Sequence, residues 1–218
     1  MSLGILIRVV LFLGVTAGIL FGSAGRIDMP FVWAFFGVVV AAWVIGLVVM
    51  DRGLMQERAH PGSGGVDAKL RLVFVPLFTS VLVIAGLDAG RFHFSQLPPW
   101  VQIVALAGLA AGYALSVWAL AVNRFFSPVV RIQTDRGHHL ITSGPYAWVR
   151  HPGYAGSLLA IVASGPALGS WWALLPAGVI VVLLLRRVVI EDRFLHEHLD
   201  GYPAYAARVR YRLVPGLW

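Results

Sequence analysis

The chain has 218 residues, of which 59% are hydrophobic and only 12% are charged, and its formal net charge is +7. A soluble domain of this length would carry about a quarter charged residues, so the composition predicts a polytopic, all-α integral membrane protein. The absence of cysteine excludes disulfides, thiol catalysis and thiolate metal sites. The basic residues are spread over several loops, which argues against nucleic acid as a partner.

Six apolar segments are predicted to cross a bilayer, which takes about 20 residues of helix. In chain order they are residues 3–21, 31–50, 72–87, 100–122, 153–167 and 171–185. Pro30 is suited to begin the second helix, and Pro76 is expected to kink the third. The last two segments are short and separated by Gly169 and Ser170, which predicts a helical hairpin.

The distribution of Lys and Arg predicts the orientation. The polar segments 51–71, 123–150 and 186–218 carry 4 + 4 + 6 = 14 of them, whereas the opposite loops carry only Arg26 and Arg91. By the positive-inside rule, both termini and the three basic segments are cytoplasmic. The bias towards Arg, Ala, Gly and Val with one lysine is typical of a GC-rich bacterial genome, so we expect a multi-pass protein of the cell inner membrane. One integrated domain is predicted, with a transmembrane scaffold at 1–122 and a second region at 123–218 that contains most of the polar motifs.

Polar side chains concentrate at the start of the fifth apolar segment, in Arg150-His151-Pro152-Gly153-Tyr154. Pro152 is suited to the first position of a helix, whose N-terminus offers N–H groups and a positive dipole end to an anion. His151 and Tyr154 are three residues apart and can project to one side. The alternative is that these residues are only anchors at the membrane interface.

Arg187 and Glu191 are four residues apart, so they share a helix face after the last apolar segment. They are either a surface ion pair or a divided site, in which Arg187 holds an anion and Glu191 faces a cation or amine. The spacing of the remaining histidines, including His196 and His198, predicts no metal site.

The second half of the chain, from about residue 123 to the end, resembles the isoprenylcysteine carboxyl methyltransferase family and its relatives, the phospholipid N-methyltransferases. Three words carry the resemblance: His138-x-Leu140-Ile141-Thr142-Ser143-Gly144-x-Tyr146-Ala147-Trp148-x-Arg150-His151-Pro152-x-Tyr154, then Arg187-x-x-x-Glu191, and the closing Tyr202-x-x-Tyr205. The resemblance implies an integral membrane methyltransferase that uses S-adenosylmethionine without a Rossmann fold, with its cofactor pocket on the cytoplasmic side.

The resemblance also implies the site residues. Arg187 takes the family's substrate-binding position, and Arg187 and Glu191 are the expected catalytic residues. The expected cofactor contacts are Arg131, His138, His139, Leu140, Ile141, Tyr146, His151, Pro152, Gly153, Tyr154 and Glu191. The chain departs from the family pattern at two positions. Arg131 stands where an uncharged polar contact is usual, and Asp192 replaces the second Glu of an acidic pair.

The expected reaction is a direct methyl transfer, in which the protein positions the reactants and excludes water. A lipophilic carboxylate is the favoured acceptor and needs no general base, whereas an amine, thiol or phenol would have to lose a proton. Small isoprenoid acids, lipid amines and small thiols all remain open as substrates. Two other classes are a membrane reductase of the sterol or steroid type, with Arg131 and Arg136 holding an NADPH phosphate, and a non-enzymatic membrane protein.

Overall fold

The computed structural model describes residues 3–61 and 70–218. These ranges contain helices and irregular segments but no strand. The α-helices are α1 (Leu3–Ala24), α2 (Pro30–Val49), α3 (Arg52–Ala59), α4 (Leu70–Gly86), α5 (Pro99–Val122), α6 (Pro152–Ala167), α7 (Leu174–His198) and α8 (Tyr202–Arg208), with a π-helical turn at Leu87–Phe92 after α4. The all-α prediction is therefore confirmed for the described residues.

Each of the six predicted apolar segments lies in a helix, namely α1, α2, α4, α5, α6 and the first half of α7. Among the described residues, three helical stretches are long and apolar enough to cross a membrane: Pro30–Val49, Leu72–Phe92 and Pro99–Val122. Only 22–28% of the residues in these stretches are buried inside the protein, so their apolar side chains face outward, as lipid contact requires. The number of six crossings stays a prediction, since α6 has only 16 residues.

Prolines begin two helices, as predicted. Pro30 is the first residue of α2 and Pro152 the first residue of α6, where the missing N–H of proline has no intrahelical partner to lose. Pro76 lies inside α4.

The polar segment 51–71 contains a helix that the sequence reading did not anticipate. Asp51 caps α3, since its side chain accepts a hydrogen bond from the Leu54 N–H at 2.8 Å. The sequence Pro61-Gly62-Ser63-Gly64-Gly65 predicts a flexible tip for this segment, and its residues 62–65 lie outside the described residues. The helix matters for the site because it carries the buried Glu57.

Contacts divide the chain into two compact units. The first comprises the described residues of Met1–Val40, Leu72–Leu109 and Ile161–Val181, and the second those of Ala41–Arg71, Ala110–Ala160 and Val182–Trp218. In the first unit the buried Asp88 accepts hydrogen bonds from the Ser95 N–H at 2.8 Å and from the hydroxyl of Ser170. Every motif of the resemblance lies in the second unit. The predicted boundary at residue 122 stays a prediction.

Within the second unit, α5 and α6 approach each other through glycines. A Cβ at Gly112 would lie 2.6 Å from the Gly156 carbonyl oxygen, and a Cβ at Gly156 would lie 2.6 Å from the Ser116 hydroxyl. Side chains at either position would force the helices apart, so small residues set this distance. The close contact fixes α6, whose first turn carries the Arg-His-Pro-x-Tyr word.

Candidate cofactor and substrate site

The segment between α5 and α6 is irregular but held by buried hydrogen bonds. It contains only two short 3-10 turns, at Thr134–Arg136 and Gly144–Ala147. The side chain of Gln133, 1% exposed, donates to the Phe125 carbonyl at 2.7 Å. Side-chain hydrogen bonds to backbone groups therefore hold this segment in place, since it has little regular secondary structure to pair those groups.

The C-terminal tail runs along the start of α6. The Arg150 and His151 N–H groups donate to the carbonyls of Tyr211 and Arg212, both at 2.9 Å. The Arg150 guanidinium donates to the carbonyls of Val209 and Arg210 at 2.9 and 2.8 Å. Arg150 is therefore a buried bridge between the tail and α6, and not a solvated anchor at an interface.

Asp192 of α7 lies at the centre of the strongest polar cluster. Arg150 donates to its two oxygens at 2.8 and 3.1 Å, Tyr202 at 2.8 Å, and Arg212 at 2.9 Å. The Nε2 atom of His151 lies 3.1 Å from its Oδ1. Burial disfavours the charged carboxylate, but the hydrogen bonds from His151, Arg150 and Arg212 outweigh burial and lower the pKa of Asp192. Asp192 is thus an ionised carboxylate, 2% exposed, whose two oxygens both accept hydrogen bonds from the protein.

Two tyrosines of α8 complete this cluster. The Tyr205 hydroxyl donates to the Tyr146 carbonyl at 2.7 Å, and burial raises the pKa of Tyr205 to about 12. Burial and the charge of Asp192 also raise the pKa of Tyr202. Both phenols therefore stay protonated near neutral pH and act as donors.

The structure brings three of the predicted residues together beside this cluster. The Tyr154 hydroxyl donates to Glu191 Oε2 at 2.7 Å, and Glu191 Oε1 lies 3.9 Å from Nδ1 of His151. The His151 side chain is only 3% exposed, whereas that of Glu191 is 26% exposed. Glu191 is thus an accessible carboxylate whose neighbours hold it in place.

Arg187 lies next to this group. Its Cζ atom is 5.9 Å from the centroid of the Tyr154 ring, and its Nη2 donates to the Pro128 carbonyl at 2.7 Å. The residue is only 8% exposed. The guanidinium thus lies over the ring of the tyrosine whose hydroxyl binds the Glu191 carboxylate, and Arg187 and Glu191 are close together, as their one-turn spacing predicts.

The His138–Ile141 stretch packs against other parts of the second unit. His138 stacks on Phe125 with ring centroids 4.5 Å apart, and burial followed by the charge of His139 lowers the pKa of His138 to about 4. His139 is exposed and meets the edge of Phe125. Leu140 packs on the cluster that contains Tyr202 and Tyr205, and Ile141 is half-buried.

Arg131 takes part in a second network. It donates to Glu57 of α3 at 2.7 and 3.1 Å and to Asp135 at 2.8 Å, and the Arg131 and Glu57 side chains are 8% and 4% exposed. These contacts tie α3 to the irregular segment. Sequence reasoning missed Glu57, because nothing near residue 57 signals a partner 74 residues away.

The remaining predicted contacts have packing neighbours as well. Pro152 and Gly153 are buried, and a Cβ at Gly153 would overlap the ring of Phe126. Tyr146 is buried, and its hydroxyl accepts from Asn123 at 3.1 Å. Within residues 3–61 and 70–218, no three His, Cys, Asp or Glu side chains are arranged to hold a metal ion.

The polar groups of this site fit S-adenosylmethionine, which carries a cationic sulfonium and an ammonium. Glu191 offers an accessible carboxylate for a cation, and Tyr154 and His151 offer polar atoms beside it. A cavity of about 350 Å³ lined by Leu185, Arg186, Val189 and Trp218 is mostly apolar. It lies on the other side of α7, since Val189 is about 200° around the helix from Arg187. We therefore do not assign it to this site.

Several known proteins are similar in sequence to the second half of the chain. The model of the isoprenylcysteine carboxyl methyltransferase (ICMT) family matches residues 102–197. The protein-S-isoprenylcysteine O-methyltransferase of Schizosaccharomyces pombe is 31% identical over 111 residues, which is 50% of this chain and 47% of the relative. A probable protein-S-isoprenylcysteine O-methyltransferase of Oryza sativa subsp. indica is 30% identical over 118 residues, 50% of this chain and 59% of the relative.

Two further similarities extend over most of the chain. The lamin-B receptor of Drosophila melanogaster is 28% identical over 195 residues, 81% of this chain but 25% of the receptor. The chain thus spans between a quarter and about six-tenths of these relatives' lengths. The structure of the eukaryotic intramembrane Ras methyltransferase ICMT superposes with a TM-score of 0.63 and 19% identity, covering 94% of this chain and 73% of that one.

The structural similarity supports a membrane-embedded, multi-pass protein. The resemblance is thus confirmed: residues 102–197 match the model of the isoprenylcysteine carboxyl methyltransferase family, and the chain has a fold similar to that of the intramembrane enzyme.

Proposed function

We propose that the chain is an integral membrane methyltransferase that transfers the methyl group of S-adenosylmethionine to a lipophilic carboxylate at the cytoplasmic face of the cell inner membrane. The observation that carries this proposal is the grouping of Glu191, Tyr154 and His151 with Arg187, inside the segment that matches the family. Two of the matched relatives are named as O-methyltransferases of isoprenylcysteine, a lipophilic acceptor.

The cofactor side of the site is proposed to consist of Glu191, Tyr154 and His151, with the buried Tyr146, Pro152 and Gly153 shaping its floor. Glu191 stabilises a bound cation, and the Tyr154 hydroxyl holds its carboxylate in one orientation. His138, His139, Leu140 and Ile141 form the extended edge next to α8. Arg131 supports this edge through Glu57 and Asp135.

The substrate side is proposed to be Arg187. S-adenosylmethionine, when bound, supplies a methyl group already activated by a sulfonium, so the protein has to align the acceptor and exclude water. A guanidinium binds a carboxylate through two parallel hydrogen bonds, which fixes the direction of the reacting oxygen. A carboxylate is ionised at neutral pH and needs no base.

The alternative of an NADPH-dependent reductase is less well supported. It requires free arginines for a phosphate, yet Arg131 binds Glu57 and Asp135. Arg136 donates to the side chain of Gln133 and to the Arg124 carbonyl. The relatives that cover about half of this chain are named as methyltransferases.

Binding and transfer experiments on the full chain in detergent or lipid test the proposal. Calorimetry should show binding of S-adenosylmethionine and S-adenosylhomocysteine, and none of NADPH. A methyl-labelled cofactor should label an N-blocked S-prenylcysteine or an isoprenoid acid, while the corresponding methyl ester should stay unlabelled. Folded protein that binds NADPH, and neither S-adenosylmethionine nor S-adenosylhomocysteine, would refute the proposed methyltransferase function.

A further inference from the structure

The Asp192 cluster joins residues inside the family match to residues beyond its C-terminal end. Arg150 lies before α6 and Asp192 lies on α7, whereas Tyr202 and Arg212 come after residue 197, where the match ends. The Arg212 side chain is 33% exposed, and all its partners in this cluster are at most 7% exposed. Four donors to one carboxylate are more than a simple ion pair requires, which suggests a positioning role.

The geometry fixes the proton on His151. Its Nε2 lies 3.1 Å from Asp192 Oδ1, and an ionised carboxylate can only accept a hydrogen bond. The Tyr202 hydroxyl, 3.4 Å from the same Nε2, donates at 2.8 Å to Oδ1. A neutral His151 therefore carries its proton on Nε2 and leaves a lone pair on Nδ1.

The Nδ1 atom faces Glu191, the accessible carboxylate of the site. Glu191 Oε1 is 3.9 Å away, which is too far for a direct hydrogen bond. The other oxygen of Glu191 already accepts from Tyr154. Two acceptors at this separation can be bridged by a single nitrogen with two N–H donors, which an ammonium group provides.

We propose that Asp192, held by Arg150, Tyr202 and Arg212, is a positioning residue that keeps His151 in the Nε2-protonated form, so that Nδ1 and Glu191 together accept a ligand ammonium group. The inference rests on the proposed function, because S-adenosylmethionine supplies that ammonium. It gives the C-terminal segment, Tyr202–Arg212, a part in the site although it touches no ligand.

Nitrogen NMR of the full chain tests the first half without any ligand. Protein labelled with 15N-histidine at pH 8 should show the His151 resonances of an imidazole protonated at Nε2, assigned by their loss in His151→Gln. In Asp192→Asn the amide can donate to Nε2, so we expect the proton to move to Nδ1 in a large fraction of molecules. Asp192→Glu keeps a carboxylate and should keep the wild-type form.

Calorimetry tests the second half. Asp192→Asn should weaken S-adenosylmethionine binding by about tenfold or more, as expected for the loss of a hydrogen bond to a charged group. An analogue of the cofactor without its amino group should bind wild type and Asp192→Asn equally. The matched control is Asp28→Asn, which removes an exposed carboxylate bound by Arg26 in the first unit and should change neither readout.

Three results would overturn the inference. They are a wild-type His151 protonated at Nδ1 or at both nitrogens at pH 8, an Asp192→Asn protein with the wild-type tautomer and affinity, or an amine-free analogue that loses affinity as much as the cofactor. If Asp192→Asn does not fold, the wild-type tautomer and the Asp192→Glu protein still decide the matter. If wild type shows the expected tautomer but binds no methyl-donor ligand, the proposed function fails while the positioning by Asp192 stands.

Discussion

At the scale of single residues, the proposed site contains two kinds of side chain: those that hold the protein together and those proposed to bind a ligand. Asp192 and Arg150 are buried and have their hydrogen bonds satisfied by the protein. Glu191, one residue before Asp192, keeps part of its carboxylate accessible. Two neighbouring carboxylates thus differ in role, because consecutive residues of a helix point about 100° apart. Substitutions of Arg187 and Tyr154 test this difference in role.

Replacing Arg187 with alanine should strongly reduce methyl transfer while the affinity for the cofactor changes by less than about twofold. A hydrogen bond between charged groups contributes about 1.5–3 kcal/mol, so activity should fall by at least about tenfold. Arg187→Lys should also be impaired, since an ammonium cannot make the two parallel bonds of a guanidinium. Initial rates and calorimetry on the same preparations measure both quantities. A parallel loss of affinity and rate would mean that Arg187 supports the fold or the cofactor.

Removing the Tyr154 hydroxyl should weaken cofactor binding and leave the fold intact. Tyr154→Phe loses the 2.7 Å bond that orients Glu191, and one such bond contributes about 1 kcal/mol, or roughly fivefold in affinity. Tyr211→Phe, which removes an exposed hydroxyl in the tail, is the control. An unchanged dissociation constant for Tyr154→Phe would indicate that Tyr154 is an interface anchor. His151→Ala, by contrast, should also lower stability, because His151 is buried against Asp192.

At the scale of elements, the site depends on how three segments meet. The glycines of α5 and α6 set the position of the first turn of α6. The irregular segment before α6 is fixed by the buried Gln133 and the partly buried His138. The tail is then fixed by backbone hydrogen bonds to Arg150 and His151. Each contact can be tested by a small change in one element.

Gly156→Ala should destabilise the protein, because its Cβ would overlap the backbone of α5 at Gly112 and the Ser116 hydroxyl. A loss of about 1–3 kcal/mol is typical of an overpacked contact. Gly178→Ala in α7 is the matched control, since a Cβ there meets nothing within 4 Å. Thermal unfolding in one detergent compares the two variants. Equal unfolding temperatures would show that α5 and α6 can separate without cost.

The partly buried His138 should make stability depend on pH. Its pKa is lowered from 6.5 to about 4, so the folded protein binds fewer protons than the unfolded chain between these values. The contribution is complete above pH 6.5 and is lost as the pH falls towards 4. His138→Phe keeps the stacking on Phe125 but cannot titrate, so its unfolding temperature should fall less over this range. Parallel pH curves for the two proteins would contradict the assignment.

At the scale of the whole molecule, basic residues and apolar helices together predict the topology. Fourteen of the seventeen Lys and Arg residues lie in segments 51–71, 123–150 and 186–218, and the proposed site uses residues of all three. If this predicted orientation holds, the proposed site would receive a polar cofactor from the cytoplasm and a lipophilic acceptor through the bilayer.

Cysteine labelling tests this orientation, since the chain has no native cysteine. Ser63→Cys in intact cells should resist an impermeant thiol reagent and react after the membrane is opened. Ile27→Cys, in the exposed turn between α1 and α2, should react from outside. The reverse pattern would invert the topology.

The sequence by itself determined the all-α membrane class, the helix starts at Pro30 and Pro152, and the resemblance to the methyltransferase family, because composition, proline positions and short motifs are local properties. It also paired Arg187 with Glu191, since residues one helical turn apart share a face. Only the tertiary structure decided that Arg131 binds Glu57 in an unforeseen helix, and that Asp192 gathers Arg150, His151, Tyr202 and Arg212. These partners lie between 10 and 74 residues apart along the chain, and packing rather than any local pattern brings them into contact.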